Sequence, residues 1–195
     1  MKKILYIFMV LMLILISQLS AKDNIILTAS YNKNFFSNNT LDMYGLNLEI
    51  FITKNVSINY SLMLGSDGRN LALHTTGGVI GGINMLGYAI EEDYYDDEES
   101  SSGFIYGSSV IMMILPEGIN IHVPLSQYVS LVPYIHPLGY DYIGNDRTVS
   151  SSVGLKVMYN INDKIVLIPQ AGVSLFYSTE NHTSYNLGLS VGVKL

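Results

Sequence analysis

The last fifty residues of this 195-residue chain form three consecutive runs in which apolar side chains recur at every second position and charge is almost absent from both faces. From Thr148, one set is Val149, Ser151, Val153, Leu155, Val157 and Tyr159, opposed by Thr148, Ser150, Ser152, Gly154, Lys156 and Met158. After Ile161-Asn162-Asp163 comes Ile165, Leu167, Pro169, Ala171, Val173, Leu175 and Tyr177. The third run sets Tyr185, Leu187, Leu189, Val191, Val193 and Leu195 against Asn186, Gly188, Ser190, Gly192 and Lys194. A period of two places alternate side chains on opposite faces of a strand. A sheet in water would carry Lys, Glu and Arg on its second face, whereas this one carries Ser, Gly and Asn. Such a pair of faces suits a barrel with lipid outside and a narrow, small-residue lumen inside.

Five earlier segments repeat the pattern. Asn24 to Tyr31 places Ile25, Leu27, Ala29 and Tyr31 on one face. Leu41 to Thr53 places Tyr44, Leu46, Leu48, Ile50 and Ile52 opposite Met43, Gly45, Asn47, Glu49 and Phe51. Lys54-Asn55 is a two-residue hairpin turn into Val56, Ile58, Tyr60, Leu62 and Leu64. A short strand through Ile119, Ile121 and Val123 and another from Tyr128 to His136 bring the expected total to eight. Short connections at 54–55, 124–127 and 161–163 alternate with longer ones at 32–40, 66–118, 137–147 and 178–183. The fold class is therefore all-β, an antiparallel transmembrane β-barrel of eight strands with short turns at one end and loops at the other.

The stretch 66–118 breaks the rule. Two apolar blocks, Leu71 to Ile90 and Phe104 to Leu115, flank the acidic, serine-rich Glu91 to Gly103. The blocks read as either a helical hairpin packed on or in the barrel or two more strands, making ten. Continuous apolar runs and glycine pairs such as Gly77-Gly78 and Gly81-Gly82 favour the helical form.

Ahead of the barrel, Met1-Lys2-Lys3, the apolar run Ile4 to Ile16 and Ser17 to Ala21 have the layout of a secretory signal peptide. The apolar run falls short of the ~20 residues a spanning helix needs. Residues 1–21 are thus expected to be signal and 22–195 a single barrel domain carrying the 66–118 insertion. No cysteine is present, so there is no disulfide framework and no lipid-attachment thiol. Setting Lys2 and Lys3 aside leaves 8 basic against 16 acidic residues, and no basic stripe to meet phosphates, which argues against nucleic acid as a partner.

Seven acids cluster at Glu91, Glu92, Asp93, Asp96, Asp97, Glu98 and Glu99. They lack the glycine and alternating ligands of a calcium loop, and read as a solvated, self-repelling segment. His74, His122, His136 and His182 fall on separate segments; a hydrolase would need a base, a nucleophile and an acid converging at one rim. Glu49, Lys156 and Lys194 lie on polar strand faces and should point inward and pair, because Lys facing lipid at midplane costs ~2–4 kcal/mol. Tyr31, Tyr44, Tyr128, Tyr159, Tyr177 and Tyr185 fall near strand ends, where tyrosine suits a headgroup boundary. No catalytic, cofactor or metal residue is assigned.

These features resemble the small outer-membrane β-barrel proteins of Gram-negative bacteria, most clearly at Ser184 to Leu195, which is similar to the terminal strand such barrels present to the assembly machinery. That family usually ends in Phe or Trp, where this chain has Leu195. Leu115-Pro116-Glu117-Gly118, Val132-Pro133-Tyr134-Ile135 and Pro137-Leu138-Gly139 also resemble segments of exported proteins of Bacteroidetes type. The resemblance implies an outer-membrane location, contact with the bilayer and lipopolysaccharide, a monomer, and no enzymatic activity. A structural or surface-interaction role leads. The alternatives are a small channel for hydrophobic compounds gated by 66–118 and a rim-bound lipid-modifying enzyme.

Overall fold

A computed structural model describes residues 24–37, 39–66, 68, 71–76, 115–143, 146–177 and 182–195. The strands are β1 (Ile25–Phe35), β2 (Thr40–Thr53), β3 (Val56–Ser66), β4 (Leu71–Thr76), β5 (Gly118–Ile121), β6 (Val123–Pro124), β7 (Val129–Ile143), β8 (Asp146–Asn160), β9 (Ile165–Tyr177) and β10 (His182–Lys194). All pairings are antiparallel, and β1 pairs with both β2 and β10. The sheet therefore closes on itself as an eight-stranded barrel, with β4, β5 and β6 sharing the fourth position between β3 and β7. Closure leaves no free edge to recruit another strand.

The period-two faces sort as their chemistry requires. Leu46, Leu64, Val153 and Leu187 are 54%, 63%, 58% and 55% exposed on the outside, whereas Ser57 and Thr75 are fully enclosed within. On β8 the outward side chains run from Val149 to Tyr159 without a charge. Ten residue steps span about 33 Å of strand, and a tilt near 40° reduces that to about 25 Å, the height of an outer-membrane apolar band.

The strand assignments hold, with β1 running on past its expected end at Tyr31 to Phe35 and so shortening the connection expected at 32–40, and with two larger differences. Leu71–Thr76, expected at the head of an apolar block, is the upper half of the fourth strand. Thr75 pairs with Leu62, and Gly118 pairs with Asn59 only three ladder positions further along β3. Two pieces far apart in sequence, Leu71–Thr76 and Gly118–Ile121, thus lie along successive stretches of β3 in one position of the wall. The helical or two-strand alternatives for the apolar blocks fall on residues outside those described. Among the described residues there is no helix.

The second difference concerns loops. Residues 137–147 were expected to be a long connection, yet β7 runs on to Ile143 and β8 begins at Asp146. A bulge between His136 and Gly139 absorbs the Pro137-Leu138 step, so the proline that looks like a turn interrupts pairing without ending the strand. The wall rises above the apolar band here as a paired ribbon.

Candidate functional site

The lumen has three tiers, each set by which inward positions carry apolar side chains. At the end bearing the termini, Ile26, Val132, Met158, Val166 and Ile168 form a buried cluster with Phe51 against it. At the far end Leu41, Met43, Met63 and Ala72 form a second cluster, joined by Phe36 and Ile143. Phe36 reaches Phe176 of β9 with ring centroids 5.3 Å apart, so this cluster crosses the lumen. Between the two lies a polar chamber.

Three carboxylates anchor the chamber. Glu117, immediately before β5, places Oε1 3.0 Å from His74 Nε2 and 3.4 Å from His136 Nδ1. Its Oε2 accepts from Asn59 Nδ2 at 2.8 Å and Ser61 Oγ at 2.7 Å. Asp141 lies 2.8 Å from His74 Nδ1 and accepts from the Ser150 hydroxyl. With a carboxylate on each ring nitrogen, His74 can donate to both only as the imidazolium. It is a part-buried bridge from β4 to Asp141 of β7 and to Glu117.

Glu49 anchors the inner half. It accepts from the Ser57 hydroxyl, from Asn120 Nδ2 at 2.8 Å and from His122 Nε2 at 2.7 Å. Because Asn120 turns its amide nitrogen to Glu49, its Oδ1 faces the donors Lys156 Nζ at 3.1 Å and His136 Nε2 at 3.0 Å. That orientation places the His136 proton on Nε2. Lys156 also stands 5.1 Å from the Tyr134 ring centroid. Charged groups at this depth persist because each meets an opposite charge or, for Lys156, the Asn120 carbonyl oxygen and the Tyr134 ring face; an isolated ion there would cost several kcal/mol.

Tyr134 fits because the strands facing it lack side chains. A Cβ on Gly154 or Gly172 would lie within 2.5 Å of its hydroxyl oxygen, so the two glycines make room for the ring to cross toward Asn186, to which the hydroxyl donates at 3.3 Å. A cavity of about 70 Å³ remains, lined by Asn32, Asn47, His74, Glu117, Tyr134 and Gln170 among others. It has room for a few ordered waters.

The expected inward residues divide clearly. Glu49 and Lys156 are buried in the chamber, and Lys194 is half-buried at the termini end. His74, His122 and His136 are brought together, while His182 lies exposed at the far end of β10. Their geometry does not compose a nucleophile relay. Ser57 and Glu49 both contact His122 through Nε2, and Ser57 donates directly to Glu49. A relay needs the acid on the opposite ring nitrogen from the nucleophile. Glu117 and Asp141 were not singled out by sequence, because neither keeps the inward parity of its run: Gly118 and Asn120 face inward next to Glu117, and the bulge after His136 shifts the inward set before Asp141. Among the described residues no group of three His, Cys, Asp or Glu is placed to hold a metal ion.

No family model and no curated protein matches this sequence. Solved structures do share the fold. The Neisserial surface protein A aligns at 9% identity with a TM-score of 0.51, covering 88% of this chain and 96% of that one. The N-terminal β-barrel domain of Pseudomonas aeruginosa OprF aligns at 10% identity and a TM-score of 0.48, covering 88% and 98%. Ail, the attachment invasion locus protein of Yersinia pestis, aligns at 8% and 0.47, covering 88% and 96%. At these identities the likeness is one of fold, the eight-stranded barrel of the outer-membrane kind.

Proposed function

We propose that this chain is an integral outer-membrane protein whose closed barrel serves a structural or surface-interaction role. The observation that carries the reading is the uncharged outward band of about 25 Å, matched in height to the outer-membrane hydrocarbon layer. In water this surface would be an aggregation hazard far beyond the few hundred Å² that soluble monomers expose. In lipid it is the anchoring surface. The leader-like residues 1–21 and the terminal strand Ser184–Leu195 supply the export and assembly signals this route requires. Bilayer lipid, lipopolysaccharide and the assembly machinery are the partners proposed, with the monomer as the working unit.

A channel for hydrophobic compounds is the competing reading, and the lumen argues against it. Two apolar clusters stand at its ends and an ion-paired chamber lies between, leaving side chains where a channel would have open space. Two measurements test the proposal together. Fractionation should recover the protein with outer membranes, running faster on gels unheated than boiled. Purified barrel in planar bilayers should give no stepwise conductance. Recovery in the soluble periplasm with no heat-dependent mobility would refute the membrane role, and steady conductance would transfer support to the channel.

A further inference from the structure

The two pieces of the fourth wall position count as one strand against both of their neighbours. On β3, Ser66 faces Leu71 and Leu62 faces Thr75, so one further step along that ladder sets Thr76 against Ser61. Gly118 faces Asn59, which leaves Tyr60 as the place opposite Glu117. Thr76 and Glu117 therefore hold consecutive places, although residues 77–116 stand between them in sequence. On β7, Thr76 faces Gly139 and Ile119 faces Ile135. That is four steps on β7 against three on the joined strand. The step in excess is the bulge, because β8 also passes it with one step fewer, from Ser152 to Ser150. We propose that the barrel wall is complete without residues 77–116, which are inserted into an otherwise continuous strand, so that membrane anchoring needs none of them. In the membrane role proposed above, on which this rests, the anchor is residues 24–76 and 117–195.

The inward faces agree with a single strand. Ala72, His74, Gly118 and Asn120 all face the lumen and stand at even spacings along the joined count. A slip of one residue at the junction would have turned Asn120 toward lipid and taken it from Glu49 and Lys156. The start of the lower piece is also fixed from its sides. The Glu117 N–H donates to the Asn59 carbonyl at 2.8 Å, and the Glu117 carbonyl accepts from the Leu138 N–H at 3.2 Å. With the carboxylate held by His74, Asn59 and Ser61, its place is set by β3, β4 and β7 and owes nothing to the residue before it. Between two places already adjacent, the length of the connection matters little, since closure entropy grows only with its logarithm.

The test replaces 77–116 by a Gly-Gly pair. A direct junction of Thr76 to Glu117 would give the glutamate an outward place and carry its carboxylate off His74; two glycines leave the backbone free to avoid this. Full and shortened chains, each with the leader, are compared by outer-membrane fractionation, by heat-dependent gel mobility and, after refolding in dodecyl maltoside, by urea titration. Both are expected in outer membranes with the same mobility shift, and the urea midpoint should fall by no more than about 1 M. Register is followed with two cysteine pairs, Leu64→Cys/Leu73→Cys and Ile58→Cys/Ile119→Cys, in a chain that has no cysteine of its own. Each pair is opposed across the ladder to β3 and should oxidise to a disulfide in both chains. A shortened chain that stays unfolded where the full chain folds, or that loses either disulfide, overturns the proposal. If both chains fold alike in detergent yet fractionate with the soluble periplasm, the membrane role fails while the complete wall stands.

Discussion

Replacing Glu117 with glutamine should cost the barrel about 3–5 kcal/mol. The carboxylate is 5% exposed, takes two hydrogen bonds on Oε2, and faces two imidazoles through Oε1. At the 3.0 Å separation from His74, a unit-charge attraction is about 5 kcal/mol at an effective dielectric of 20. Part of that offsets the desolvation of the two ions, but the offset is lost asymmetrically. Glutamine removes the attraction while leaving His74 and Lys156 enclosed, and its NH2 group must turn either toward the imidazoles or toward Asn59 and Ser61, which are donors. One buried donor loses its acceptor in either orientation, at a cost of about 1–3 kcal/mol. The assay is reversible urea unfolding in short-chain phosphatidylcholine vesicles, followed by circular dichroism and gel mobility. A cycle with His74→Gln should show coupling above 1 kcal/mol, because the two side chains share one contact. If E117Q unfolds within about 1 kcal/mol of the parent, or the cycle closes additively, the chamber does not hold the fourth strand to its neighbours as argued.

Other expectations follow from the same packing. Val153→Lys, at the middle of the outward band, should destabilise the barrel in vesicles by about 2–4 kcal/mol, and Tyr159→Lys at its margin by about 0–1; equal effects would mean that the face does not meet lipid. Gly172→Ala should cost about 1–3 kcal/mol by driving a methyl into the Tyr134 hydroxyl, and Tyr134→Phe should recover part of the loss. No recovery in the double variant would show that the clash lies with the neighbouring backbone. Ile26→Ala/Val166→Ala, made in the inner apolar cluster, should lower stability by several kcal/mol. It should also admit small cations measurable as bilayer conductance; a stable, silent variant would mean that the seal lies elsewhere.

Strand class, facing and most of the strand count were legible because they rest on a local property. Alternation at period two is written residue by residue, and lipid outside leaves only one assignment of faces. Thus Val149 to Tyr159 and Tyr185 to Leu195 could be read outward, and Glu49 and Lys156 inward, before any partner was known. What meets what was not legible. Glu117 lies 43 residues from His74, and Glu49 lies 73 from His122; their contact depends on the stagger with which the sheet closes. The split fourth strand was hidden for a related reason. Leu71–Thr76 is too short to stand out from the apolar block that follows, and its lower half, Gly118–Ile121, is supplied from beyond residues 77–116. Only the ladders to β3 and β7 unite the two pieces. Pro137 reads as a loop locally, yet the bulge opposite β8 carries the strand through it. The terminal runs by themselves determined a two-faced barrel wall. Closure of the wall decided that three histidines and three carboxylates, set far apart along the chain, would meet in one chamber.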